Sequence, residues 1–587
     1  MKFQANRYEL IEVAQGKRPA DLFLKDGQVI NVYSGEILQQ NVAIYKDRIA
    51  YVGESTAPVG SDTEVIDAKG YYLSTGYIET HAHPWVIYNP VSLAEKALSL
   101  GTTTIVNDNL FFYLHMGEEG FSKMMQDLAE LPLHQLWLVR IVSQADYPGE
   151  RDWFHPDSVR RLLQSEHVIG TAEVTRWPLL YNGDDFVIET VEYAKRLRKL
   201  SDGHNAGCSY ERLNSIAASG ISACHEAITM QEALERLRLG LWTVLRNSSL
   251  RPDLPELAKL ITEKKVDTQR VLMTTDGPHP AFIDESGLVD GLVREAVDHG
   301  IPPVQALQMV TINAATYLGL DEHLGGIAPG KRADLLFLPD LTTFRPQHVI
   351  AGGRSVAQDG GLTVSLPHVD WDQYMAREPF TISEQVLKDP NLYRLAVEDG
   401  DQAIPVINFR IAVITQRKDM DLPRDGQFVD ISDHPNLAYA ALIDRDGQWI
   451  SRGLLENFTT HIEGMASTYN TTTHLLVIGR NPEAMVQAAS KVKEMEGGVA
   501  IVEGGECILE IPLPLAGMMT TDPTFKTAVN YQNQLMEAVK ARGYPFHDIL
   551  YTMLFLTCDF LPGLRLTPHG VYEVKKDEVV LPCESLK

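Results

Sequence analysis

The chain has 587 residues and a formal net charge of -26, which repels nucleic acid phosphate and anionic membrane surfaces, so neither is an expected partner. Its 44 % apolar and 22 % charged residues, with no low-complexity tract, exclude disorder and describe a globular chain of roughly three or four domains, fewer if one is a barrel. The five cysteines (Cys208, Cys224, Cys507, Cys558, Cys583) form no Cys-x-x-Cys pair, and residues 1–8 lack an apolar signal core, so a reduced cytoplasm is the expected compartment. No apolar run reaches the ~20 residues of a membrane helix.

From about residue 20 to 68, short β-rich runs alternate with turn signals such as Asp26-Gly27 and Ser34-Gly35, which predicts a small antiparallel β unit. A matching block at residues 325–338 repeats the Ala-Asp-Leu run of Ala20-Asp21-Leu22 as Ala333-Asp334-Leu335. The two blocks are read as one discontinuous β domain, residues 1–75 and 323–366, with a second domain inserted between them.

Residues 76–322 alternate apolar strands with helix-length amphipathic segments, the pattern of βα units around a parallel sheet. Strands are expected at 77–81, 102–106, 136–141, 168–173, up to 204, 221–225, 242–246 and 271–276. Helices are expected near 92–100, 124–129, 158–165 and 189–199, with a closing pair at 288–298 and 303–316. Eight units over roughly 250 residues predict a (β/α)8 TIM-like barrel. An open doubly wound sheet would usually bring a Gly-rich nucleotide turn after its first strand, and none is present.

A barrel of this kind gathers the C-terminal ends of its strands at one face, so polar residues there meet in space. The first strand delivers His81 and His83, whose side chains share a face because strand residues alternate. The fourth ends at Glu173, the fifth at His204, the sixth at His225 and the eighth at Asp276. Singly, each has a bland reading: a chance His-x-His, a salt-bridged rim glutamate, core histidines, a helix N-cap. Jointly, four histidines and two carboxylates would rarely all fall at strand ends of one barrel by chance. Neutral imidazoles and carboxylates suit zinc, iron or manganese, and a carboxylate with two oxygens can bridge a pair of ions.

This arrangement resembles the amidohydrolase superfamily, and the local strings resemble its adenine deaminase family. The strings are Gly203-His204-Asn205-Ala206-Gly207, His225-Glu226-Ala227-Ile228-Thr229, residues 232–240, Thr311-Ile312-Asn313-Ala314-Ala315 and the 325–338 block. The likeness extends into a C-terminal α/β domain, 367–587, through Leu513-Pro514-Leu515-Ala516-Gly517-Met518-Met519. It implies a binuclear centre of Mn2+ or Fe2+, with Zn2+ as a further option, held by His81, His83, Glu173, His204, His225 and Asp276. It also implies hydrolytic deamination of adenine to hypoxanthine and ammonia. Asp276 would take a proton from the attacking water and pass it to the leaving nitrogen, and Glu226 would protonate or hold a ring nitrogen. A small-molecule purine is therefore the expected partner, in a homo-oligomer, a dimer. A catalytically silent barrel would have no use for the clustered histidines, and the zinc nucleobase deaminase strings are absent.

Three departures from the family strings bear on substrate. Pro84-Trp85-Val86-Ile87 replaces Ile-Glu-Ser-Ser, Thr275-Asp276-Gly277 replaces Thr-Asp-Asp, and Thr472-Thr473-His474-Leu475 keeps only the histidine of Asp-Ser-His-Asn. Gly277 would enlarge the pocket and Trp85 would add apolar surface, so an N6-substituted adenine such as N6-methyladenine is an alternative substrate; another amidohydrolase activity, on a cyclic amide, is a further one. His474 is expected to pack in its own domain rather than reach the barrel mouth. In that domain, strands are expected at 409–414, 475–479 and 499–502 and a helix at 482–495, and the apolar run 549–556 is read as buried core or subunit contact.

Overall fold

Eight short strands, rich in β-branched and apolar residues, run parallel and follow one another in sequence order. They are β1 (Tyr77–Ala82), β2 (Thr102–Asp108), β3 (His134–Val139), β4 (Val168–Val174), β5 (Leu200–Gly203), β6 (Ala223–Cys224), β7 (Trp242–Arg246) and β8 (Val271–Thr274). The computed structural model describes residues 4–377, 380–397 and 403–586. Strands β1 to β5 form one parallel sheet and β6 to β8 another. Between them, Ser222 N–H donates to the Ser201 carbonyl at 2.7 Å. At the other edge, β1 and β8 are tied by the Thr274 hydroxyl, which donates to the His81 carbonyl at 2.9 Å and to Glu79 Oε1 at 2.6 Å. Ile78, Val106, Leu138, Ala172, Ala223, Val244 and Leu272, from seven of the eight strands, belong to one buried apolar cluster.

The segments flanking these strands share a nine-stranded sheet. Leu335–Leu338 pairs antiparallel with Tyr72–Thr75, which in turn lies beside Leu22–Asn31, so chain on both sides of the eight strands meets in one layer. That layer is not purely antiparallel as expected: Glu64–Asp67 and Tyr72–Thr75 both run parallel to Leu22–Asn31. A second nine-stranded sheet carries the C-terminal part, with the helix Pro482–Glu494 burying Ala484, Met485, Ala488, Ala489 and Val492 against it.

Four local expectations need correction. The helix placed near 124–129 is Leu110–Leu128, broken at Gly117 (φ +63°). Its first turns are buried all round, so they carry no amphipathic period. The closing helix 303–316 is two, Pro303–Met309 and Ile312–Leu318, separated at Thr311, which has left helical geometry (φ -132°, ψ -92°). The run 221–225 contributes only Ala223–Cys224 to the ladder. The apolar run 409–414 is a hairpin between Ile404–Ile411 and Ile414–Met420, and Ala412 and Val413 owe their burial to packing rather than to a strand. The helix Ile549–Leu556 is buried core, capped by Asp548, whose side chain accepts from Tyr551 N–H at 2.9 Å. No helix among the described residues is long and apolar enough to cross a membrane.

Candidate metal centre

The parallel order of the strands puts their C-terminal ends together, and the named residues sit at those ends. His81 is in β1 with His83 just beyond it, Glu173 is in β4, His204 follows β5, His225 follows β6 and Asp276 lies two residues past β8. All six are brought within one cluster. Asp276 Oδ1 lies 3.2 Å from Nε2 of both His81 and His83. Glu173 Oε2 lies 2.7 Å from His204 Nδ1 and 3.2 Å from His225 Nε2, while Glu173 Oε1 lies 3.8 Å from His83 Nε2. Glu173 thus stands between two groups, His81, His83 and Asp276 on one side and His204 and His225 on the other.

The donor set suits divalent metal. His81 Nε2, His83 Nδ1 and both ring nitrogens of His225 are buried without a hydrogen-bond partner. Buried polar atoms are rarely left so, and His81 Nε2 and His225 Nε2, each 3.2 Å from a carboxylate oxygen of the cluster, are where a cation would satisfy them. His81 adds a second sign: its Nδ1 lies 2.7 Å from Asp202 Oδ2, which fixes the proton on Nδ1 and leaves Nε2 facing the cluster as a lone pair.

Two buried arginines complete the site, and sequence reasoning missed both. Arg140, one residue past β3, donates from Nε to Asp108 Oδ2 at 2.6 Å and from Nη2 to Glu173 Oε1 at 2.7 Å. Arg246, the last residue of β7, donates to Glu226 and, at 2.9 Å, to Asp276 Oδ2. With Asp108 ending β2, every one of the eight strands delivers a charged or ligating group. The strand-end rule that found the histidines would have found these too, had cations been sought beside ligands. Burial disfavours the Asp276 carboxylate, but the imidazoles of His81, His83 and His225 beside it and the charge of Arg246 outweigh it and hold the carboxyl well below its usual range. Burial likewise opposes a charge on Glu226, and Arg246 first, then His204, overrides it.

A cavity of about 250 Å3 opens over this cluster. Its floor includes His83, Glu173, His204, Glu226 and Asp276. Its cover comes from the C-terminal part: Ile411, Val413, Tyr551, Phe555, Phe560 and Leu561. The Tyr551 hydroxyl donates to the Gly277 carbonyl, fastening cover to floor. Trp85 also lines the cavity, 1 % exposed, its ring 4.8 Å from that of His83 and 4.7 Å from Phe111. Gly277 does not line it. The expectation that Gly277 makes room for substrate is corrected by its surroundings: its φ is +64°, and an added Cβ would fall 2.7 Å from the Cβ of His83. The glycine is there because its backbone passes close to His83. His474 is away from this cavity, buried in the C-terminal part beside Asp444 and Trp449.

Residues 72–356 match the Amidohydrolase family and residues 412–578 the Adenine deaminase C-terminal domain. A Bacillus cereus protein named "Putative adenine deaminase" is 34% identical over 579 residues, covering 98% of this chain and 96% of its own length. A Moorella thermoacetica protein named "Adenine deaminase" is 33% identical over 589 residues, covering 97% of both chains. A crystal structure of an adenine deaminase superposes with a TM-score of 0.46 at 18% identity, covering 57% of this chain and 99% of that one.

Proposed function

The chain belongs to the adenine deaminase family of amidohydrolases, and from that premise we propose that its metal-dependent site hydrolyses adenine to hypoxanthine and ammonia. The observation that carries the reading is Glu173, whose carboxylate reaches all four histidines, Oε1 lying 3.8 Å from His83 and Oε2 2.7, 3.2 and 3.9 Å from His204, His225 and His81. His81, His83 and Asp276 would hold one ion and His204 and His225 the other, with Glu173 between. Imidazole with carboxylate suits manganese, iron or zinc. Ions bound there supply Lewis acidity that brings the ionisation of water down toward neutral pH.

The chain's own residues do the rest. Asp276, kept ionised by its histidine and arginine partners, accepts a proton from the attacking water and returns it to the exocyclic nitrogen as ammonia leaves C6. Arg246 orients both Asp276 and Glu226 from one guanidinium. Glu226 lines the cavity and, as a carboxylate, would accept from a purine ring N–H. Apolar residues of the cover exclude water from a planar base, which strengthens each of these electrostatic contacts.

Support for reading the eight strands as a (β/α)8 barrel over residues 76–322 comes from their parallel, sequential order and the shared core cluster. The sheet joining residues on both sides supports the discontinuous β domain of 1–75 and 323–366, and the second sheet supports a separate C-terminal domain from 367. The test is hydrolysis of adenine, N6-methyladenine, guanine and cyclic amides by metal-loaded protein, followed as loss of substrate, with the product amine (ammonia, or methylamine from N6-methyladenine) or the ring-opened acid identified. Adenine should lead. A cyclic amide turned over faster than any purine would replace this reading with another amidohydrolase activity.

A further inference from the structure

A second cavity, of about 300 Å3, lies between the loop after β3 and the C-terminal part, and it shares no lining residue with the first. Tyr147, Trp153 and Trp449 give it three aromatic walls. The His474 ring stands between two of them, with centroids 4.9 Å from Trp449 and 6.2 Å from Tyr147. Its Nδ1 accepts from Arg445 N–H at 3.2 Å, so the proton of the neutral ring sits on Nε2. Burial, with the charges of Arg445 and Arg377, keeps that ring neutral. His474 lines the cavity at 7 % exposure, and its Nε2 has no hydrogen-bond partner among the described residues.

The neighbouring groups form an edge of alternating polarity. The Asp444 carboxylate lies 3.2 Å from His474 Nδ1 and is fixed by Gln448 N–H at 3.0 Å. The Arg377 guanidinium caps Trp153 at 4.0 Å from the ring centroid. Thr473 is held at φ +55°, a left-handed conformation that β-branched residues rarely adopt. Its Oγ1 is pinned by His115 Nε2 at 3.0 Å, from the helix after β2. Such strain persists where surrounding structure imposes it, and it concentrates at ligand sites. Aromatic walls with a few convergent polar groups are the usual make-up of small-molecule pockets, and this volume sits at the small end of their range, about 300–1,000 Å3.

We propose that this cavity is a second, non-catalytic binding site for a planar heteroaromatic ring with a donor and acceptor edge, the class that includes the purine bases. The ring would lie against Trp449 or Tyr147, with His474 Nε2–H donating to a ring nitrogen and Asp444 accepting from an amino or ring N–H. No group of possible metal ligands among the described residues includes a residue of this cavity. A single loop serves both sites, since Gln144 lines the first cavity and Tyr147 the second. The proposal stands whether or not adenine is the substrate.

The test is hypoxanthine binding to the full-length, metal-loaded protein by calorimetry, compared with His474→Asn and with Trp153→Leu, the latter at a partly exposed position. Both variants should release ammonia from substrate as the parent does and bind one hypoxanthine fewer per chain. If the catalytic cavity does not take the base, the parent binds one and the variants none. Variants that bind as many molecules as the parent, with unchanged affinity, would overturn the second site.

Discussion

Gly277 lies against His83 so closely that a Cβ built on the glycine would fall 2.7 Å from the histidine Cβ and 3.0 Å from its Cδ2. The turn after β8 needs this contact because Asp276 and Gly277 both adopt left-handed backbone, at φ +52° and +64°. Gly277→Ala should therefore push His83 off its position and lower bound metal, with overpacking of about 1–3 kcal/mol in stability. Metal content unchanged in a fully folded Gly277→Ala protein would show that the contact relaxes freely.

Metal content is the next expected outcome. The purified protein should carry about two divalent transition-metal ions per chain, the complement of a two-metal site. His81→Ala and Glu173→Ala should each lower it, and Glu173→Ala should do more because that carboxylate faces both histidine groups. Elemental analysis after growth with added manganese or iron checks this. A parent protein without metal would remove the basis of the site.

Arg246 is buried and faces three carboxylates, Glu226, Asp276 and Asp253. Arg246→Met removes the buried cation that joins them, and breaking such a buried pair typically destabilises by about 3–5 kcal/mol. Chemical denaturation of Arg246→Met beside Arg246→Lys reads the effect. A variant as stable as the parent would mean that water or metal already neutralises the cluster.

The strand-end ladder was legible because β1 to β8 have short apolar runs with turn signals, and a single rule maps strand ends to one face. The arginines at 140 and 246 obey the same rule but look, in sequence, like ordinary strand-terminal cations. The cover was not legible. Val413 and Phe560 reach the cavity from 330 or more residues beyond β1, through tertiary packing that leaves no local pattern. Gly277 illustrates a subtler limit, since a missing side chain reads equally as space made or as space already filled.

Asp548 offers a pH test away from the metal. Burial pushes its carboxyl up to about 6, against the lowering effect of Tyr551 N–H. A carboxyl raised in the folded state favours folding below its unfolded value near 4, and that contribution is lost as pH rises through about 6. The shift of about two units amounts to ~3 kcal/mol. Asn caps helices as well as Asp. Asp548→Asn should therefore lose less stability than the parent between pH 4.5 and 7.5, read as the difference in Tm. Identical pH dependence in the two proteins would place the Asp548 carboxyl in the ordinary range.

The central claim is most directly tested by following hypoxanthine and ammonia from adenine with the parent and Asp276→Asn, metal content being measured on the same samples. The parent should form both products in equal amounts. Asp276→Asn, compared with the parent at equal metal content, should be slower by about 10²–10⁴-fold, the contribution of a positioned acid-base group. A metal-loaded parent that forms no hypoxanthine, or an Asp276→Asn protein that forms it as fast, would contradict the account.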